Sequence, residues 1–202
     1  ISGSVGSNGM VYDMHLLPDG KFFVGGGFTS FKDVDRRFLA LCDADGTVTS
    51  TFAPQPVTGV NGYISAVTTQ VDGKIIAGGS FTSFNGVSVK HLVRLTSNGS
   101  LDPAFNMGTG PNGNVRVVAI QPDGKIIAGG TSADNFVLMR FNPDGTTDNS
   151  FSGDGIVTTD FENGIDFLED LQIWNNRVYA VGRTTVNGIN AGLVAAYLIN
   201  DV

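Results

Sequence analysis

The stretch PDGKIIAGG (122–130) occurs in two further versions, VDGKIIAGG (71–79) and LPDGKFFVGG (17–26). The aspartate that they share recurs at intervals of 53 and 51 residues. A degraded fourth version, NNRVYAVG (175–182), follows after a similar interval. A fixed period of this length is typical of repeat architectures, so we interpret the chain as four repeats of about 52 residues.

Each of the first three repeats also carries a second turn, in the stretches DADGTVTSTF (43–52), SNGSLDPAF (97–105) and PDGTTDNSF (143–151). Asp-Gly favours a tight turn because Asp bonds its own backbone and Gly accepts a positive φ. The runs between the turns, such as VRVVAIQ (115–121) and FVLMRFN (136–142), are short and rich in residues that favour strands. The glycine pair after each second strand indicates a β-bulge or a close backbone approach. No segment has a convincing helical apolar period, so we predict an all-β chain.

Antiparallel sheets of three or four strands at this spacing are typical of β-propeller blades. We therefore predict a single domain, a β-propeller or an arc of one, with repeats at about 11–63, 64–114, 115–166 and 167–202. Residues 1–10 duplicate the segment that the fourth repeat lacks. In a closed ring they complete the last blade, with Ile1 to Gly9 beside Leu193 to Ile199. An open arc from a longer array explains the same offset, and Ile1 then marks a cut end.

The repeated pattern resembles the delta-60 repeat, a β-propeller family of unknown function found in large secreted or surface proteins of bacteria and in some phage proteins. Copies two and three match it closely through Val67 to Phe105 and Val118 to Phe151. Copy one has Leu41 and Thr49 where the family pattern has Arg and Asp, and copy four departs at almost every position. The resemblance implies a propeller fold and transfers no catalytic residues.

The chain is acidic, with a formal net charge of −7 and a pI near 4.5. Nucleic-acid phosphates and anionic bilayers repel such a chain, so neither is expected as a partner. The single cysteine, Cys42, excludes an internal disulfide and zinc sites built on cysteine pairs. No apolar run approaches the roughly 18–20 residues of a membrane-spanning helix, so we expect no membrane insertion.

Two arginines of the third strands are each followed eight residues later by an aspartate, Arg94 by Asp102 and Arg140 by Asp148. The first repeat has lost both members of the pair together, which favours an Arg–Asp contact that braces each blade. A ring of ligand-binding arginines is the alternative. The recurring lysines that follow the first turn are expected to be solvated cations: Lys21, Lys74 and Lys125.

Metal and catalytic chemistry have few candidates in this sequence. Asp43 and Asp45 resemble the first half of a calcium loop, but the further ligands of such a loop do not follow Gly46. We therefore interpret them mainly as turn-forming residues, with calcium as a weak alternative. His15 and His91 have no metal-ligand or triad spacing, so catalysis by them is not expected, and we expect no cofactor.

Two copies of Phe-Thr-Ser-Phe lie in the loop whose length varies between repeats, and they contain Phe28, Phe31, Phe81 and Phe84. Loop aromatics on one rim can form a binding face, and local loop packing is the alternative. The phenylalanines that end each repeat, Phe52, Phe105 and Phe151, are expected to pack between blades.

The leading functional hypothesis is a non-enzymatic binding or structural module, secreted or displayed at a cell surface, which recognises a protein or glycan through its rim loops. Its partners would alternatively be neighbouring repeats or subunits of a larger assembly. One alternative is a phage virion component, such as a tail or decoration protein. Another, from a different class, is a glycan-processing enzyme with paired carboxylates in the central channel.

Overall fold

The computed structural model describes residues 6–50, 52 and 59–199, and all of the regular structure in these ranges is β-sheet. The predicted all-β class is therefore confirmed. No helix that could cross a membrane occurs in this described part of the chain. The chain divides into two compact units, Ile1–Asp102 and Pro103–Val202.

The first unit contains two sheets that are built alike. Its strands are β1 (Val11–Leu16), β2 (Phe22–Gly26), β3 (Ser30–Phe31), β4 (Val34–Asp35), β5 (Leu39–Cys42), β6 (Ile64–Thr69), β7 (Ile75–Gly79), β8 (Ser83–Phe84), β9 (Val87–Ser88) and β10 (Leu92–Leu95). Sheet one has the strand order β1-β2-β5, and sheet two has the order β6-β7-β10. The short hairpins β3–β4 and β8–β9 form in the loops between the second and third strands.

The second unit also contains two antiparallel sheets. Its strands are β11 (Asn114–Ile120), β12 (Ile126–Ser132), β13 (Asn135–Phe141), β14 (Ile156–Thr159), β15 (Ile165–Trp174), β16 (Arg177–Val186) and β17 (Ile189–Leu198). Sheet three has the order β11-β12-β13-β14, and sheet four has the order β15-β16-β17. In sheet three, β12 turns directly into β13 through Ala133 and Asp134, which have positive φ. This tight turn replaces the hairpin loop of sheets one and two, which explains why the third repeat is shorter between its two turns.

Sheets one to four each have a β-bulge at the same place in the first strand, opposite the predicted glycine pair in sheets one to three and opposite Val181 and Gly182 in sheet four. The register shifts fall at Val11/Asp13, Ile64/Ala66, Val115/Val117 and Leu168/Asp170. At the second glycine of the pair, a Cβ atom would overlap the carbonyl oxygen of the residue before the first strand, that of Met10 for Gly26 and that of Tyr63 for Gly79. Both expectations for the glycine pair, a bulge and a close backbone approach, are confirmed.

The Asp-Gly turns have the predicted geometry. Gly20, Gly73 and Gly124 have φ values of 85°, 80° and 86°, a conformation that favours glycine. The degraded fourth repeat turns instead through Asn175 and Asn176, both with positive φ, since Asn tolerates this conformation better than most residues. The longer strands β15 and β16 of this repeat form an antiparallel hairpin through the Asn175–Asn176 turn.

Each unit has its hydrophobic core between its two sheets. In the first unit, Phe23 and Leu39 pack with Ile64 and Val67 of sheet two. In the second unit, the core includes the following residues of sheets three and four: Ile127, Leu138, Leu168 and Leu171. Phe52 and Phe151 belong to these two cores, as predicted, whereas Phe105 is half-buried and belongs to neither. The termini of the predicted ring closure, residues 1–5 and 200–202, lie outside the described residues.

The positive φ of Gly124 predicts that a side chain at this position destabilises the protein. Gly124→Val should lower the free energy of unfolding by more than about 1 kcal/mol, because a β-branched residue is strained at positive φ. Urea denaturation of the full chain measures this change. The matched control is Gly192→Val in β17, where a Cβ meets no atom within 4 Å and φ is not positive. Equal stability of the two variants would contradict the prediction.

Candidate functional site

The two predicted Arg–Asp pairs are present. Arg94 Nε lies 2.9 Å from Asp102 Oδ2, and Arg140 Nε lies 2.6 Å from Asp148 Oδ2. All four side chains are buried. Each pair joins the third strand of its repeat to the second turn, where the backbone amide of the same aspartate also donates to the arginine carbonyl. The pairs therefore brace the turns, as the pairing hypothesis predicted.

Arg140 is the centre of a larger network in the second unit. Its guanidinium donates from Nη1 to the carbonyl oxygen of Ile199 at 2.8 Å and from Nη2 to Ser150 Oγ at 2.7 Å. It also lies over the ring of Phe151, 4.9 Å from the centroid. A fully buried guanidinium needs such partners, because an unpaired charge in the interior is costly. These contacts indicate a structural role for Arg140.

Two of the lysines expected to be solvated instead join these pairs. Lys74 Nζ lies 3.2 Å from Asp102 Oδ2, and Lys125 Nζ lies 3.0 Å from Asp148 Oδ2. In sheet one, which lacks the Arg–Asp pair, Lys21 lies 3.8 Å from Asp43 instead. The sequence interpretation missed this role because lysine and aspartate belong to different turns, and only the packing of the strands brings the turns together.

Asp148 is held in its charged form by this environment. Burial acts to raise its pKa, but hydrogen bonds from Ser150 and Lys125 and the charge of Arg140 outweigh burial and lower the pKa to about 2. The hydroxyl and the amide of Ser150 both donate to Asp148 Oδ1, at 2.7 and 3.1 Å. The carboxylate therefore serves as an internal counter-ion.

The residues that sheet one has in place of the ion pair suggest the substitutions for a double-mutant cycle on Arg94 and Asp102. Arg94→Leu and Asp102→Thr place in sheet two the residues that sheet one has at these positions, Leu41 and Thr49. Each single variant should lose about 3–5 kcal/mol, because it leaves one buried charge without its main partner. The double variant should lose clearly less than the sum. Chemical denaturation measures the coupling, and a coupling within the error of about 0.3–0.5 kcal/mol would contradict the pairing.

The low pKa of Asp148 predicts a pH-dependent contribution to stability. Asp148→Asn should lower the free energy of unfolding by about 2 kcal/mol at pH 7. Since the folded-state pKa is lowered, this contribution is fully present above the unfolded-state value near 3.9 and is lost as the pH falls towards about 2. Urea unfolding from pH 7 to pH 2 should show the two proteins converging. Asp160→Asn, which removes an exposed carboxylate, controls for the change in net charge.

The weak calcium candidates lie in an ordinary turn. Asp45 Oδ1 accepts a hydrogen bond from the amide of Thr47 at 2.8 Å, and this bond is the main cause that lowers the pKa of Asp45. The amide of Asp43 donates to the carbonyl of Thr47. Within residues 6–50, 52 and 59–199, no three His, Cys, Asp or Glu side chains are grouped in a way that could hold a metal ion. The turn-forming interpretation accounts for both residues.

The two histidines lie apart from one another in different environments. His15 Nε2 lies 2.9 Å from Thr69 Oγ1, and burial lowers the pKa of His15, with Asp13 acting in the opposite direction. His91 lies in the loop before β10, and burial lowers its pKa as well. The hydrogen bond of His15 and the partial burial of both side chains indicate packing roles for the two histidines.

The phenylalanines proposed as a binding face are buried. Phe28 and Phe31 pack against Val24, Ala40 and Cys42, with their two rings 5.4 Å apart. The corresponding residues of the second repeat, Phe81 and Phe84, belong to the core between sheets one and two. Because their rings are buried, these residues offer no aromatic surface to a ligand in this structure, and loop packing accounts for them.

The sequence interpretation missed an Asn-Gly dipeptide that precedes the first strand of every repeat, at residues 8–9, 61–62, 112–113 and 163–164. Asn8 Oδ1 accepts hydrogen bonds from the amides of Thr29 and Ser30, and its Nδ2 donates to Thr29 Oγ1. Asn61 repeats these bonds with the loop of the second repeat. The intervals of 53, 51 and 51 residues were the signal that could have revealed this motif.

A partly exposed aromatic pair lies beside the start of the first of these loops. Tyr12, the bulge residue of β1, has its ring 5.4 Å from that of Tyr63, at an angle of 53°. Tyr12 is exposed and Tyr63 is half-buried. Gly27, the first loop residue, lies beside Tyr12, because a Cβ there would be 3.5 Å from the tyrosine ring. We call Tyr12 and Tyr63 the tyrosine pair.

The bulge positions of the second unit carry charges instead. Arg116 and Glu169 form an ion pair, and Arg183 Nε lies 3.3 Å from Glu169 Oε1. The Arg183 guanidinium also lies over the ring of Phe167, 4.0 Å from the centroid. These side chains are partly exposed, so the ion pairs contribute little to stability. Bulges thus place chemically different side chains at the same point of each sheet, which is how bulges act at many binding sites.

Three segments of the chain, residues 17–52, 70–105 and 121–151, match the family model described as "Domain of unknown function (DUF5122) beta-propeller". The chain belongs to this family. The match confirms the β-propeller repeat class, whereas the delta-60 name remains a resemblance. The matched segments of this DUF5122 β-propeller contain the two turns of repeats one to three. No curated protein matches the chain.

Proposed function

We propose that this β-propeller domain is a non-enzymatic binding module that recognises a protein or glycan at the loop edge of its sheets. The observation that carries the proposal is the tyrosine pair, two neighbouring rings at the start of the loops. Tyrosine rings combine an apolar face with a polar hydroxyl, which makes them frequent anchors of interfaces. The proposal moves the binding face from the loop phenylalanines to the adjacent bulge.

The non-enzymatic part of the proposal rests on what the recurring polar residues do. The Arg–Asp pairs and the turn aspartates are engaged in buried ion pairs and backbone hydrogen bonds. Their chemistry therefore serves the fold. We propose an extracellular or cell-surface location, for which the acidic charge and the resemblance to secreted repeat proteins are the support. Fractionation of the producing cells, with a virion preparation as the second arm, tests this location.

Binding should depend on the tyrosine pair. On a glycan array and an array of surface proteins, the full chain should be retained by a ligand, and Tyr12→Ala and Tyr63→Ala should each weaken retention at least about tenfold, as expected for an anchor residue. The matched control is Tyr179→Ala, which alters a half-buried tyrosine of β16 in the other unit.

Two outcomes would contradict the proposed function. One is turnover of a glycan without retention, measured with a panel of hydrolase substrates in parallel with the arrays. The other is retention that is unchanged in both tyrosine variants, which would place recognition elsewhere on the chain. Circular dichroism of each variant verifies that the sheets are retained.

A further inference from the structure

The bulges provide an exact structural alignment of the first strands. Val11 of sheet one, Ile64 of sheet two and Leu168 of sheet four occupy the same position directly before the bulge. Three residues later, Met14, Val67 and Leu171 are equivalent in the same way. The environments of these residues can therefore be compared position by position.

In sheets two and four, the residues before and after the bulge pack against the preceding sheet of the same unit. Ile64 and Val67 lie in the core with Phe23 and Leu39 of sheet one, with exposed fractions of 2 % and 4 %. Leu168 and Leu171 lie in the core formed with sheet three, with exposed fractions of 0 % and 4 %. The first strand of a following sheet thus docks on the sheet before it.

The same positions of sheet one are uncovered. Val11 is 48 % exposed and Met14 is 61 % exposed, and Leu16, on the same side of β1 as Met14, is exposed too. We call these three side chains the docking face. Exposed apolar side chains at positions that are buried in the equivalent sheets are typical of a surface that packs against another sheet.

The contacts between the two sheets of each unit, which we call the internal junctions, show what the docking face requires of its partner. A Cβ on Gly25 would lie 2.8 Å from Ile64 Cγ2, and a Cβ on Gly129 would lie 2.7 Å from Leu168 Cδ2. The residue before the bulge therefore sits directly on a glycine in the second strand of the preceding sheet. Any larger residue at this glycine would force the two sheets apart.

Sheet four of a second copy does not meet this requirement. Val181 pairs with Asp170 as Gly25 pairs with Asp13, so Val181 occupies the glycine position of sheet four. Its side chain would occupy the space into which Val11 has to pack. A head-to-tail contact between two copies of this chain would therefore lack the fit of the two internal junctions.

We propose that the docking face binds the glycine-bearing face of another repeat of the same type, supplied from outside the 202 residues. The partner is thus a three-stranded antiparallel sheet with glycine at the position of Gly25. This inference is independent of ligand recognition by the tyrosine pair, because the docking face includes neither tyrosine.

A tandem chain tests the proposal, with residues 7–59 present twice ahead of residue 60. The first copy is the added repeat. It carries Met10→Leu and Met14→Leu, so that any oxidation measured at Met14 comes from the original repeat. Oxidation by hydrogen peroxide, followed by mass spectrometry, measures its exposure. Docking of the added repeat should slow the oxidation of Met14 at least about tenfold, because oxidation follows exposure. Buried Met139 serves as the internal reference.

The matched control is the same tandem chain with Gly25→Val in the added repeat only, where Met14 should be oxidised as fast as in the 202-residue chain. The proposal is overturned if Met14 is oxidised equally fast with and without the added repeat, or if protection survives Gly25→Val. It is also overturned if circular dichroism shows the added repeat unfolded, since the docking face should order it. Protection of Met14 in the 202-residue chain at high concentration, with a dimer in sedimentation, would favour a second copy instead.

Discussion

The close approach of backbone to backbone at the glycine pairs is the constraint on which the rest of this structure depends. At the second glycine, the carbonyl of the residue before the first strand occupies the space where a side chain would begin. The first strand bulges beside this contact, and the bulge inserts one extra residue, Tyr12 in β1 and Arg116 in β11. A small residue in the second strand therefore positions the residue that we propose for recognition.

The first glycine of each pair acts between sheets. Gly25 and Gly129 leave room for a large aliphatic residue of the next sheet, so the two sheets of a unit approach closely and share a core. Close packing of this kind depends on shape, and a single methyl group in the wrong place is felt. The fourth sheet has Val181 at this position and therefore lacks the space for such a residue.

Buried ion pairs hold the second turn against the third strand in sheets two and three. The buried arginines would be costly alone, and the aspartate of the second turn neutralises each of them. The lysine after the first turn contacts the same aspartate as a second cation. Sheet one replaces the arginine and the aspartate with Leu41 and Thr49, both also buried. The fold therefore accepts either a complete ion pair or none, as the cost of half a pair leads one to expect. This balance explains why both residues are lost together.

The amino-acid sequence by itself determined the repeats, the turns, the all-β class and the Arg–Asp pairs, because these depend on neighbours within one hairpin and recur at a fixed period. It did not reveal that Phe28 and Phe81 are buried, that lysines join the ion pairs, or that Tyr12 meets Tyr63. Phe28 is buried by strands of its own repeat, whereas the other contacts join residues from different turns or different repeats, and no local pattern records any of them. Only the tertiary structure could decide them, since the packing of one sheet on the next determines which side chains are covered and which remain exposed.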